Sequence, residues 1–175
     1  MTTPGPKRVY VLRHAKSAWP EGVDDRERPL AGRGRRDAPA AGRWLRTAGR
    51  VPDRVVCSPA RRTRETWELV RGELGAEPYA VYDDRLYAAE LPQLLGVLRE
   101  MPEEVGAVLL IAHQPGVQEL TLALAGDAAG DALGRAREKF PTSAVAVLSV
   151  DGPWSGLAPG CARLTEFIVP RGPKK

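Results

Sequence analysis

The sequence predicts an α/β fold, a three-layer α/β/α sandwich around a mostly parallel central sheet. Three observations predict it. Short apolar runs rich in β-branched residues alternate with amphipathic helical stretches along the chain. The run 105–111 is almost continuously apolar, as a central parallel strand covered on both faces must be. The length of 175 residues, 43% hydrophobic and 27% charged, suits one ordinary globular domain. A chain of this size can bury about 70% of its unfolded surface without disulfide or metal support. Residues 1–175 are therefore read as a single domain with its core over about 8–170.

The elements follow in order. Residues 8–12, Arg-Val-Tyr-Val-Leu, form a buried strand followed by a loop. Residues 34–48 read as a helix with Ala38, Ala41, Leu45 and Ala48 on one face and Gly49 as its stop. Residues 53–57 are a second strand. Ser58 and Pro59 then predict a helix start, serine as cap and proline in the first turn, with the helix running to about Glu73. A short strand falls near 79–82, and Pro92 marks the first turn of a helix reaching about Glu100. The central strand 105–111 precedes a helix over about 115–124, and two late strands occupy 143–150 and 162–169. The Gly/Asp segment 126–134 reads as a loop, and 171–175 as a frayed tail.

Composition excludes several classes. The longest apolar stretch, 105–112, is far short of the roughly 20 residues that span a membrane, and the first residues lack the apolar core of a signal peptide. A cytoplasmic protein without membrane contact is expected. Cys57 and Cys161 show neither metal-ligand nor CxxC spacing, and no cofactor or metal is expected. The net charge of +4 invites a nucleic-acid reading, but aromatics are only 6% and unclustered, so no binding platform emerges. The run Asp24-Asp25-Arg26-Glu27-Arg28 reads as solvated surface.

The chemistry concentrates at two histidines, the only two in the chain. His14 follows the strand ending in Leu12, and His113 follows the strand ending in Ile111. In open α/β sheets, sites form beyond the carboxyl ends of strands, so both histidines fall where a site belongs. Arg13 adjoins His14, and Arg62 lies in the first turn of the helix opened by Ser58 and Pro59. A helix N-terminus favours an anion, and a guanidinium grips phosphate oxygens in pairs. Arg61 and Arg64 read as a charged face paired with Glu65 and Glu68. Without GxSxG or GxxxxGK[ST] patterns, a histidine is the best candidate nucleophile, since its imidazole nitrogen can accept a phosphoryl group.

These residues fall in recognisable motifs. The segment 9–15, Val-Tyr-Val-Leu-Arg-His-Ala, resembles the RHG-type signature of the histidine phosphatase superfamily, with Ala15 where glycine is commoner. Segments 57–66, Cys-Ser-Pro-Ala-Arg-Arg-Thr-Arg-Glu-Thr, and 111–116, Ile-Ala-His-Gln-Pro-Gly, are similar to its second and third motifs. Segments 25–34 and 139–144 resemble the compact SixA-type branch. The resemblance implies a phosphoglycerate mutase-like fold and a phosphatase. His14 would take the phosphoryl group and pass it to water, while Arg13, Arg62 and His113 would bind its oxygens. Ser17 and Glu90 are further substrate-binding candidates. His14 would need a neutral attacking nitrogen, with a backbone carbonyl holding its other N–H. His113 would act best protonated, so activity is expected to fall as pH rises past its pKa.

Arg62 and His113 are only 51 positions apart, which leaves little room for the acid-bearing insertion of larger members. Glu90 is the nearest candidate acid, and reads equally as a solvated residue at a helix start. Without a strong acid, a readily departing leaving group is favoured, as in a phosphohistidine. The expected partner is a phosphorylated protein, with phosphohistidine as the group acted on. A small phosphate ester is the alternative substrate, and a non-catalytic phosphate-binding or interaction module is the alternative outside enzymes.

Overall fold

The computed structural model describes residues 5–171. Seven strands form one sheet in the order β3-β2-β4-β1-β6-β7-β5. They are β1 (Lys7–Arg13), β2 (Arg54–Cys57), β3 (Tyr79–Tyr82), β4 (Ala107–Ala112), β5 (Ala125–Ala128), β6 (Val145–Val150) and β7 (Ala162–Ile168). The five helices are α1 (Gly32–Thr47), α2 (Arg61–Leu74), α3 (Leu91–Arg99), α4 (Gly116–Leu124) and α5 (Ala132–Glu138). Pairings among β3, β2, β4 and β1 are parallel, as is β5 with β7; β6 runs antiparallel to both β1 and β7.

Strand alternation divides the core. Tyr10, Leu12, Val55, Leu109 and Ile111 face α1 and α2, meeting Leu45, Trp67, Val70 and Leu74. Val9, Val11, Val108 and Leu110 face the other way, towards α3, α4 and α5 through Leu94, Leu98, Leu120 and Ala136. Both faces of the sheet are thus covered, and the strands that carry double burial are the continuous apolar ones. A buried tryptophan anchors each side, Trp67 beside α1 and Trp154 under the other layer. Each such side chain contributes about 2–3 kcal/mol by leaving water. Among the described residues, no helix is long and apolar enough to cross a membrane.

The register sets the site. Leu12 and Cys57 both lie opposite Ile111, so the three neighbouring strands end level with one another. The segments that follow carry His14, Ser58 and His113. The connection entering β6 closes the same edge, where Ser143 N–H donates to Arg13 O and His14 O at 3.1 and 3.2 Å. Helix α1 lies tight beneath it. A Cβ added at Gly34 would stand 2.1 Å from Lys16 O, so only glycine lets the helix approach the backbone just after His14.

Three expectations need correction. The segment 126–134 is not a loop: β5 pairs with β7 and α5 begins at Ala132. The helix after β2 starts at Arg61 with Ala60 as its cap, so Ser58 does not cap it. Arg171 is not frayed, since its Nε donates to Thr142 O at 3.2 Å and its side chain is largely buried. The rest of that tail, 172–175, lies outside the described residues.

Candidate active site

His14 and His113 meet at the carboxyl edge of the sheet, their ring centroids 5.3 Å apart. His14 is only 6% exposed, and its Nδ1 lies 2.7 Å from Ala15 O. A carbonyl oxygen can only accept, so Nδ1 carries the proton and Nε2 keeps its lone pair. Thr66 Oγ1 accepts from Ala15 N–H at 3.1 Å, which ties this loop to α2. His113 Nε2 lies 2.7 Å from Ser58 Oγ, and its Nδ1 is buried with no hydrogen-bond partner.

Burial sets the charge of both rings. It pulls His14 down to about 3 and His113 down to about 4, with the nearby arginines pushing the same way. At neutral pH the two imidazoles of the open site are therefore uncharged. The expectation of a protonated His113 governing the alkaline limb does not hold for the free site; a dianion arriving beside the ring would be needed to draw a proton to it.

The cations converge on the same place. A cavity of about 230 Å3 is lined by Arg13, His14, Ser17, Arg28, Arg62 and His113, among others. Arg13 donates from Nη1 to Phe140 O at 2.9 Å, and its buried Nε has no partner. Arg62 is oriented by Asp25: Nη1 donates to Asp25 O at 2.7 Å and Nη2 to Asp25 Oδ2 at 3.1 Å. Asp25 also accepts from Tyr87 Oη at 2.6 Å and from Arg28 Nη1 at 3.0 Å. The Tyr87 hydroxyl, with Arg28 and Arg62 behind it, holds the Asp25 carboxyl well below the usual carboxylate range. Tyr87 sets its ring edge-on to His113, 5.8 Å away.

Arg13, His14, Arg62, His113 and Ser17 are thus brought together around one cavity. Ser17 Oγ accepts from Arg28 Nη2 at 2.5 Å, so it holds an arginine as well as lining the wall. Glu90 lies apart from these, at the start of α3, where its N–H donates to Gln93 Oε1 at 3.0 Å. It borders a wider adjoining cavity of about 670 Å3, which also touches Arg62 and His113. Arg61 pairs with Glu65 at 3.6 Å, as a charged helix face should, whereas Arg64 reaches Glu27 at 3.7 Å instead.

Four contributors were missed in the sequence. Ser58 lies behind His113 instead of capping a helix. Asp25 and Arg28 are not simply solvated surface: Arg28 is 7% exposed, with Trp19 stacked over its guanidinium at 3.2 Å. Tyr87 is 62 positions from the Asp25 it binds. Only the compact-branch pattern over 25–34 could have drawn attention to Asp25 and Arg28. Among the described residues, no group of three or more His, Cys, Asp and Glu is placed to hold a metal ion.

The profile of the histidine phosphatase superfamily (branch 1) matches residues 9–108. An uncharacterised protein of Mycobacterium tuberculosis is 42% identical over 162 residues, covering 91% of this chain and 100% of the relative. One of Mycobacterium leprae is 40% identical over 165 residues, covering 91% and 100%. Among solved structures, a protein assigned as phosphohistidine phosphatase SixA from Nakamurella multipartitia superposes with a TM-score of 0.83 at 31% identity, covering 94% of this chain and 96% of that one. The protein histidine phosphatase SixA complexed with tungstate gives a TM-score of 0.76 at 25% identity, covering 93% and 97%. The chain belongs to the histidine phosphatase superfamily and is of the SixA type.

Proposed function

We propose that the protein hydrolyses a phosphoryl group through a covalent intermediate on His14, with protein phosphohistidine as its substrate. The observation that carries this reading is the 2.7 Å contact of His14 Nδ1 with Ala15 O, which leaves Nε2 as an unprotonated nucleophile facing a cationic cavity. In the first step the Nε2 lone pair forms a bond to phosphorus as the bond to the leaving group breaks. Arg13, Arg62 and His113 meet the charge on the equatorial oxygens. Water then attacks the phosphohistidine, releasing inorganic phosphate and restoring neutral His14. Guanidinium groups supply the positive charge, so the reaction needs no metal.

Substrate choice follows from the lack of a committed proton donor. Asp25 is ionised and bound to three donors, and Glu90 stands at the rim of the wider cavity. A phosphoramidate, whose nitrogen leaves more readily than an alkoxide, suits such a site. The SixA structures, one assigned as a phosphohistidine phosphatase and one named a protein histidine phosphatase, support the same class. The free thiols of Cys57 and Cys161 suit a reducing cytoplasm. A small phosphate ester is the second reading; it is favoured by the cavity of about 670 Å3, which is of a size that holds small ligands.

The test is turnover of a phosphohistidine-bearing carrier protein beside a panel of phosphate esters, with and without chelator, for wild type and His14→Ala. Hydrolysis of the phosphoprotein that is insensitive to chelator and lost in His14→Ala is expected. Hydrolysis of the esters alone would shift the assignment to the second reading, and activity surviving in His14→Ala would remove the nucleophile.

A further inference from the structure

We propose that a second anion subsite adjoins the phosphoryl site and takes a carboxylate or phosphate group carried by the same substrate. This rests on reading the cavity of His14 and Arg62 as the phosphoryl site. A separate cavity of about 150 Å3 is lined by Arg13, Lys16, Arg33, Lys139, Thr142 and Arg171. Arg13, Lys16 and Thr142 line the phosphoryl cavity as well, so the two spaces share a wall.

The charge of this second space is lopsided. Arg33 and Arg171 share the carboxylate of Asp37, at 3.4 and 3.8 Å. Even with Asp37 set wholly against Arg171, Arg13, Lys16, Arg33 and Lys139 place four cations around the cavity. Like charges crowded at one point repel, and a low-dielectric wall focuses their field outward on a ligand. Arg13, in the shared wall, has its Nε buried with no hydrogen-bond partner. Guanidinium and ammonium groups in this arrangement match the oxygens of a carboxylate or phosphate.

The opposite flank is chemically unlike it. The wider cavity is lined by Leu86, Leu91 and Leu94 with the carboxylates of Asp25, Glu90 and Glu119. A substrate seated by its phosphoryl group therefore meets cations on one side and an apolar, acidic surface on the other. That asymmetry fixes its orientation. A substrate with an anionic group beside the phosphoryl group is selected, and one with a cation there is rejected. An acidic side chain flanking a phosphohistidine and a second phosphate of a small molecule are the two sources of such a group.

Calorimetric titration tests this without turnover. The ligands are alkylphosphonates, the matching ω-phosphonocarboxylates and the matching bisphosphonates, over a series of chain lengths. In the wild type at least one carboxylate or bisphosphonate should bind about tenfold more tightly than its alkyl counterpart, as one charge-assisted contact provides. In Lys139→Ala/Arg33→Ala the advantage should fall below about twofold, and in Lys139→Glu it should disappear, while alkylphosphonate affinity stays the same. A preference confined to bisphosphonates would identify the phosphate source; one shared by carboxylates would support the acidic side chain. No advantage at any chain length, or one that survives both variants, overturns the subsite alone. Failure of every alkylphosphonate to bind overturns the phosphoryl-site reading and this proposal with it.

Discussion

Replacing Asp25 by asparagine removes the carboxylate that orients Arg62. Asp25 accepts from Tyr87 Oη at 2.6 Å, Arg28 Nη1 at 3.0 Å and Arg62 Nη2 at 3.1 Å, and its backbone oxygen accepts from Arg62 Nη1 at 2.7 Å. Asparagine keeps the backbone contact and one acceptor oxygen but loses the charge. A hydrogen bond to a charged group is worth about 1.5–3 kcal/mol. The Asp25 side chain is 52% exposed, so solvent screening reduces the loss to about 1–2 kcal/mol. If that loss falls on the binding of the phosphoryl oxygens by Arg62, kcat/KM drops about 5- to 30-fold. The assay is hydrolysis of aryl phosphates whose leaving-group pKa spans several units. Because Asp25 is held ionised, it positions Arg62 and donates no proton, so the loss should be the same for every leaving group. A loss that grows with leaving-group pKa would make Asp25 the proton donor and refute the reasoning. A loss under about twofold would show that Arg62 needs no such support.

Other expectations follow from the same geometry. Ser58→Ala removes the hydroxyl 2.7 Å from His113 Nε2 and should lower kcat/KM about tenfold, with a changed His113 tautomer in 15N spectra; an unchanged tautomer would contradict the role. Folding stability should fall on acidification, because burial holds His14 at about 3 and His113 at about 4 while the unfolded chain takes up protons from about 6.5 downward. At pH 5 each ring then contributes about 2 kcal/mol of lost stability relative to pH 7, read as a lower denaturant midpoint; a midpoint that is flat between these values would contradict it. Gly34→Ala places a methyl 2.1 Å from Lys16 O and should cost at least about 2 kcal/mol, a fall in Tm of roughly 4–8 °C; an unaltered Tm would show that α1 can move away.

The residues at the carboxyl edge were legible because local signals placed them. Val9 to Leu12 and Val108 to Ile111 are apolar enough to be strands in any context, and His14 and His113 come directly after them. What was illegible depended on tertiary partners. Ala125–Ala128 has the sequence AGDA, with no strand character of its own; it is a strand because β7 supplies its pairing. Gly126 permits that pairing, since a Cβ there would lie 2.2 Å from Gly160 O. Ser58 looked like a cap because a serine before a proline commonly is one, and the three residues between it and Arg62 do not reveal His113 behind it. Asp25 looked like surface because its neighbours are charged. Its role arises only when Tyr87, on a distant loop, is folded against it. The protonation of His113 could not be inferred from the residue alone, since burial decides it.

The covalent intermediate is the central claim, and trapping it is its most direct test. Wild-type protein mixed rapidly with 32P-labelled phosphohistidine protein and quenched in alkali should carry label that is stable to base, labile to acid and located on His14 by peptide mapping. His14→Ala should carry none. Full turnover by wild type with no acid-labile label at any quench time, or label that persists in His14→Ala, would contradict the account.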